Sequence, residues 1–258
     1  MWRLLRIVML LTVLALVAGI TWVDRQRTTD WDRPLRVGVF PINGDGRAAT
    51  DRYIATLNSE QFEPIARFFS REAQRFGLAI AEPFRMQLEP KVLDLPPRLE
   101  RDRGLLSTVW WSLRIRYYAW RAAGRSTATI RMFVLYHDPS RTRVVPHSLG
   151  LQKGLLGIVY AFAEPQMAGA NNIVIAHELL HTVGATDKYD PRSNLPLFPQ
   201  GYGEPAAEPR YPQESAELMA GRLAVSAQEA VMPVDLDEVV IGSATAAEIR
   251  WPAAEPAR

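Results

Sequence analysis

The stretch from Asn171 to Tyr189, NNIVIAHELLHTVGATDKY, leaves this chain few choices of fold. His177, Glu178 and His181 stand in the spacing His-Glu-x-x-His, and Gly184 and Asp187 continue it as His-x-x-Gly-x-x-Asp. On a helix, residues four apart share one face, so both imidazoles can reach one ion. Two neutral imidazoles suit Zn²⁺, and Glu178 stands beside them, where it can take a proton from water. Ile173, Val174, Ala176, Leu179 and Leu180 are apolar and bury the helix on the side away from the ion. Gly184 tolerates the left-handed conformation that ends a helix and turns the chain back. That turn lets a third ligand three residues later face the same ion, and Asp187 occupies the place. Asp190, Glu204, Glu208, Glu214 and Glu217 are the other carboxylates open to that role. With only four histidines in 258 residues, a chance pairing of this kind arises on the order of once in a few hundred chains.

The N-terminal composition sets the compartment. Residues 7–23, IVMLLTVLALVAGITWV, carry no charge, and with Leu4 and Leu5 they reach about the 20 residues of a bilayer-spanning helix. Arg3 and Arg6 precede the run, so the positive-inside rule keeps the N-terminus in the cytoplasm and sends the rest outside. A cleaved signal peptide is the rival reading, with secretion as its consequence. The small residues at Ala18-Gly19 make a poor cleavage site, and an uncleaved signal-anchor is preferred. Arginine outnumbers lysine 27 to 3, and Ala and Pro are abundant, which suggests a GC-rich bacterial genome. The expected location is then the bacterial inner membrane, single-pass, with the folded part on the periplasmic side.

Charge and cysteine usage exclude several classes. Five arginines and three aspartates in residues 1–34 account for the whole net charge of +2, leaving 25 basic and 25 acidic residues beyond. The pI near 9 is therefore no argument for a nucleic-acid partner. With no cysteine, disulfides, thiolate zinc sites and cysteine-based latency are all ruled out.

Past a short polar tether over 24–34, the pattern reads as a sheet covered by helices. LRVGVFPI (35–42) predicts a strand that stops at Asn43-Gly44-Asp45-Gly46, a turn too short for a calcium loop. Phe62, Ile65, Ala66, Phe69, Ala73 and Phe76 recur at helical spacing up to Gly77. FRMQL (84–88) predicts a strand. Pro96-Pro97 then opens a helix whose apolar stripe is Leu106, Val109, Trp110, Leu113, Tyr117 and Trp120. In that helix Arg114, Arg116, Arg121 and Arg125 are assigned to a solvated face and the aromatics to the core. Strands are predicted over 127–136 and 157–164, with a loop over 140–154, before the histidine helix. Residues 190–213 are dense in Pro and Gly and predict an irregular loop long enough for a functional surface that can gate the site. Short helical segments are expected around Ser226–Val231 and Ser243–Ile249. Three units follow: anchor and tether (1–34), an N-terminal subdomain with the zinc helix (35–190), and the Pro-rich loop with a small C-terminal subdomain (191–258). The isolated His137 and His147 are set aside as ordinary histidines rather than a second metal site.

His177-Glu178-Leu179-Leu180-His181-Thr182-Val183-Gly184-Ala185-Thr186-Asp187 resembles the extended zinc signature of the metzincin metallopeptidases, and its Asp variant resembles the snapalysin group. The resemblance is strict over these eleven residues and only topological over about 35–190. It implies an α+β, zincin-like fold: a mixed twisted sheet with two packing helices plus the active-site helix. It also implies Zn²⁺ on His177, His181 and Asp187, with Glu178 as general base in peptide-bond hydrolysis. A methionine turn beneath the metal is implied too, with Met219 as first candidate and Met232 as second. The connection from Asp187 to Met219 is long for the family, and no Tyr stands two residues after Met219. Tyr189 and Tyr202 are candidate donors to a developing oxyanion. Strand 157–164 is the expected sheet edge for pairing with an extended protein or peptide substrate. The leading expectation is a membrane-anchored zinc endopeptidase. The others are a zinc hydrolase of envelope amides that is not a peptidase, and an envelope assembly module with structural zinc.

Overall fold

Ile130–His137 is buried on both faces along nearly its whole length, as a strand in the middle of a parallel sheet must be. In the computed structural model, which describes residues 29–98, 105–152 and 154–253 together with Arg6 and Thr12, this strand organises the N-terminal two thirds. The order is β1 (Leu35–Asn43), α1 (Ala48–Thr56), α2 (Glu63–Arg75), β2 (Phe84–Leu88), α3 (Leu105–Ala123), β3 (Ile130–His137), β4 (Leu149–Leu151), β5 (Leu156–Phe162) and α4 (Ala168–Val183). The sheet is mixed, in the order β2-β1-β3-β5-β4. All its pairings are parallel except β4 on β5, which is antiparallel.

Side chains alternate across this sheet and divide the core in two. Val37, Val39, Met132, Val134, Val159 and Ala161 face α1, α2 and α4. Phe40, Ile42, Phe133, Leu135 and Ile158 face α3. The C-terminal part joins the first core through Leu218, Met219, Leu236, Val239, Ile241, Ile249 and Trp251. Its own elements are short: β6 (Ala216–Glu217), β7 (Leu223–Ala224), β8 (Ala230–Val231), β9 (Val239–Val240) and α5 (Ser243–Glu248).

Several expectations need correction. The sheet edge is β4, inside the segment predicted to be a loop, and β5 lies between β4 and β3. Three residues centred on Gly150 give no alternating signal, so only pairing with β5 makes them a strand. Helix α1 fills the interval after Asn43–Gly46 and makes three sheet-packing helices in addition to α4, where two were expected. Residues 226–231 hold half of the β7–β8 hairpin rather than a helix. Pro96 and Pro97 lie in irregular chain, and the described part of the next helix starts at Leu105. The tether ends early. Trp31 is buried edge-on against Phe84 and Trp251, and its indole N–H donates to the Ile249 carbonyl at 2.8 Å.

The largest correction concerns α3. The predicted core stripe points outward: Val109, Trp110, Leu113, Tyr117 and Trp120 are 55–67% exposed. Ile115, Tyr118, Ala119 and Ala123 are buried instead. This helix carries two apolar faces, and the one with the small alanines meets the sheet, because it lets the backbone approach most closely. The expected membrane span lies outside the described residues, Thr12 apart. Among the described residues no helix is long and apolar enough to cross a membrane.

One buried carboxylate ties the C-terminal part together. Glu217 is wholly buried and accepts from the Thr245 hydroxyl at 2.6 Å, the Ala220 N–H at 3.0 Å and the Gly242 N–H at 3.1 Å. Burial pushes its carboxyl pKa up against the pull of those donors. Glu217→Ala strands three donors and is expected to lower the unfolding free energy by roughly 3 kcal/mol in urea titration. Glu214→Ala, at an exposed site, is expected to change it by less than about 0.5 kcal/mol.

Candidate metal centre

Helix α4 is fixed at both ends. At its start the Asn171 amide donates to the Phe162 carbonyl at 2.9 Å and accepts from the Phe162 N–H at 3.0 Å, locking the helix to the end of β5. Along its length Ile173, Ile175, Ala176, Leu179, Leu180 and Val183 are buried. Burial of each large side chain contributes about 1.5–3 kcal/mol. At its end Gly184 is left-handed, with φ 112° and ψ 6°. The N–H groups of Gly184 and Ala185 both return to the Leu180 carbonyl at 3.1 Å. A glycine also sets the distance to the sheet. A side chain at Gly150 of β4 would run into the Glu178 carbonyl oxygen and lie 2.6 Å from the His181 Cβ.

The two imidazoles and the carboxylate converge. His177 Nε2 lies 3.1 Å from Asp187 Oδ1, and His181 Nε2 lies 3.1 Å from both. The other ring nitrogens are committed: His177 Nδ1 meets the Leu218 carbonyl at 2.9 Å, and His181 Nδ1 meets the Ala185 carbonyl at 2.8 Å. A carbonyl only accepts, so each Nδ1 carries the hydrogen and each Nε2 presents a lone pair. Two lone pairs and a carboxylate oxygen then point at one small volume, and only a cation or a proton relieves their repulsion. A tetrahedral zinc with bonds of about 2.0–2.1 Å spaces its ligand atoms about 3.3–3.4 Å apart. The observed triangle fits it within a few tenths of an ångström. Among the described residues, these three form the one group of His, Asp and Glu side chains able to hold a metal ion.

The charge states express the same demand. Burial raises the Asp187 pKa, but the contacts with His177 and His181, which favour the carboxylate when an imidazole takes a second proton, outweigh it and hold the carboxyl well below the usual carboxylate range. Burial lowers the His177 pKa, but Asp187, the charge of Glu178 and the Leu218 carbonyl together push it up. Glu178 is 6% exposed, and its Oε2 is buried with no hydrogen-bond partner. Burial raises its pKa against the opposing pull of His177 and His181. The Gly150 backbone N–H is the one nearby donor that favours its ionised form.

Asp187 is held in place by its neighbours. The Thr186 N–H and hydroxyl donate to Glu248 at 2.9 and 2.7 Å. Lys188 is buried, and its ammonium donates to Glu248 and to Thr186. The Lys188 N–H donates to the Met219 carbonyl at 2.9 Å. Sequence reasoning missed Lys188 and Glu248, since 60 residues separate them and neither belongs to a motif. Met219 is wholly buried in the turn that also offers the Leu218 carbonyl to His177, whereas Met232 is 46% exposed.

The other carboxylates weighed as third ligand are engaged elsewhere. Glu204 accepts from the Glu214 N–H and the Ser215 hydroxyl, Glu217 sits in its clamp, and Asp190 accepts from the Arg192 N–H. Glu208 and Glu214 lie outside the cluster. A cavity of about 490 Å³ opens over the metal cluster, with β4 along one side and Tyr189, Pro191 and Asn194 on another. Tyr202 does not line it: its hydroxyl pairs with that of Tyr211 at 2.8 Å. His147 and Ser148 do line it, although sequence reasoning had set His147 aside. Of the Pro-rich loop, only Pro191 and Asn194 reach the cavity.

No protein-family model matches the chain, and no curated protein matches it. Among solved structures, the crystal structure of wild-type OgpA from Akkermansia muciniphila is similar at 12% sequence identity with a TM-score of 0.36. The match covers 87% of this chain and 62% of that one, so the chain spans less than two thirds of the neighbour's length.

Asp187→Ala is expected to abolish stoichiometric zinc binding, read as metal content after dialysis, where the unaltered chain keeps about one equivalent. Retention of that equivalent by the variant would show that another group is the third ligand.

Proposed function

We propose that this protein is a zinc-dependent endopeptidase of the metzincin type, anchored by residues 7–23 with its folded part outside the cytoplasm. The observation that carries the reading is Glu178, whose Oε2 is buried beside the ligand cluster with no hydrogen-bond partner. A structural zinc site gains nothing from a buried acid with an unpartnered oxygen beside its ligands, and such an oxygen costs stability. A hydrolytic site needs it.

His177, His181 and Asp187 would hold the zinc, and the bound ion would supply a water of lowered pKa and a Lewis acid for the substrate carbonyl. Glu178 takes the proton from the attacking water and passes it to the leaving amine. Burial raises its pKa from the ordinary carboxylate value, the direction that a group accepting and then releasing a proton requires. Tyr189 lines the cavity with its pKa raised by burial and by Asp187 and Glu178, so it stays protonated and able to donate to the developing oxyanion. The outer side of β4 is unpaired among the described strands, and Leu149 and Gly150 line the cavity. An extended peptide paired there by strand addition runs past the metal cluster. The conformational need for a strand-like substrate favours unfolded segments over small envelope amides.

Glu178→Gln is expected to keep its zinc and to lose about 10²- to 10⁴-fold of its turnover of an unstructured protein such as casein. Chelation is expected to abolish the turnover of the unaltered enzyme and readdition of zinc to restore it. Full zinc loading with no cleavage of any member of a diverse peptide library would overturn the peptidase reading.

A further inference from the structure

The outward face of α3 matches no part of the chemistry above. Val109, Trp110, Leu113, Tyr117 and Trp120 are 58, 64, 55, 63 and 67% exposed. At about 100° per residue they fall within an arc of about 100°, opposite the buried arc of Ile115, Tyr118 and Ala119. Five large apolar side chains on one arc form a patch of the kind that marks an interaction surface. The helix has no acidic residue, and Arg114 and Arg121, with Arg125 just beyond its end, line one flank of the apolar arc. Between this flank and the irregular segment before the helix is a cavity of about 360 Å³, bordered by Leu95, Pro97, Arg114, Tyr117 and Arg121. Asp94 pairs with Arg121 there, and the Asp94 carbonyl accepts from the Tyr118 hydroxyl at 2.7 Å, which braces the segment against the helix.

We propose that this face of α3 seats on an anionic phospholipid surface, with Trp110, Tyr117 and Trp120 at headgroup depth and Arg114, Arg121 and Arg125 against the lipid phosphates. Tryptophan and tyrosine favour that depth because the ring is apolar and its N–H or O–H stays wet. Arginine beside them supplies the bidentate donors that phosphate oxygens fit. A basic helix with one aromatic face lies in the interface plane rather than across it. The charge pattern favours this occupant: the helix carries no acidic residue, so its arginine flank is complementary to lipid phosphates and offers no carboxylate to the same helix of a second copy. The surface is on the side of the sheet opposite α4, so the metal cleft is left uncovered. The proposal stands independently of the peptidase reading.

The absence of cysteine makes a direct test simple. Leu113→Cys carries a nitroxide on this face, and Arg67→Cys carries one on exposed α2, across the sheet. The full-length chain is mixed with vesicles of phosphatidylglycerol or of phosphatidylcholine. Collisions with lipid-soluble oxygen and with a water-soluble nickel chelate are then measured. At position 113, phosphatidylglycerol is expected to raise the oxygen-to-nickel collision ratio by roughly fivefold, and phosphatidylcholine much less. At position 67 neither lipid is expected to change it. Arg114→Gln, Arg121→Gln and Arg125→Gln together should remove the difference between the two lipids. The proposal is overturned if the label at 113 stays as water-exposed in phosphatidylglycerol as the label at 67, or responds equally to both lipids. It is overturned too if the label is already shielded from both reagents without lipid, since a second copy or another segment then covers the face.

Discussion

Two imidazole lone pairs and one carboxylate oxygen, each 3.1 Å from the others, are the constraint around which the molecule is arranged. A positive charge at the centre of such a group relieves the repulsion among its members. The carbonyls of Leu218 and Ala185 orient the rings by taking their Nδ1 hydrogens, as outer partners of metal-binding histidines do. The left-handed Gly184 turns the chain, and the Lys188–Glu248 pair with Thr186 holds the turned segment so that Asp187 meets the histidines. The C-terminal part is therefore a component of the site: α5 supplies Glu248, and the Met219 turn supplies the carbonyls received by His177 and Lys188.

The same constraint explains the edge of the sheet. Glu178 reaches the cavity only because α4 lies close beneath β4, and it lies close because Gly150 has no side chain. Gly150 also leaves its N–H near the carboxylate, where it favours the ionised form together with His177 and His181 against the cost of burial. A carboxyl raised by burial and an Asp187 held low by its neighbours stand side by side within one cavity. The two carboxylates are thus driven to opposite sides of the ordinary carboxylate range, the separation that the proposed acid–base role of Glu178 draws on.

What could be read from the residues follows from locality. Helix α4, its apolar side and its glycine stop were legible because they depend on contacts three and four residues apart. The convergence of His177, His181 and Asp187 was legible for the same reason, since the turn at Gly184 spans only a few residues. Strand β4 was not, because Leu149–Leu151 becomes a strand only by pairing with β5. The Lys188–Glu248 brace was not, because nothing local joins its members. On α3 the apolar stripe was seen and assigned to the wrong side. Trp110, Tyr117 and Trp120 outweigh Ile115, Ala119 and Ala123 in hydrophobic surface, yet close packing on a sheet favours the smaller set. Hydrophobicity alone does not say which of two apolar faces is covered, and here that choice changed a core assignment into a candidate membrane surface.

The proposed chemistry turns on the candidate metal centre. X-ray absorption at the zinc K-edge of the purified chain probes it without reference to any substrate. A four-coordinate zinc is predicted, with two imidazole ligands and the remainder oxygen, at about 2.0–2.1 Å. Uptake of no zinc, or a spectrum requiring one or three imidazoles, would contradict the ligand set formed by His177, His181 and Asp187.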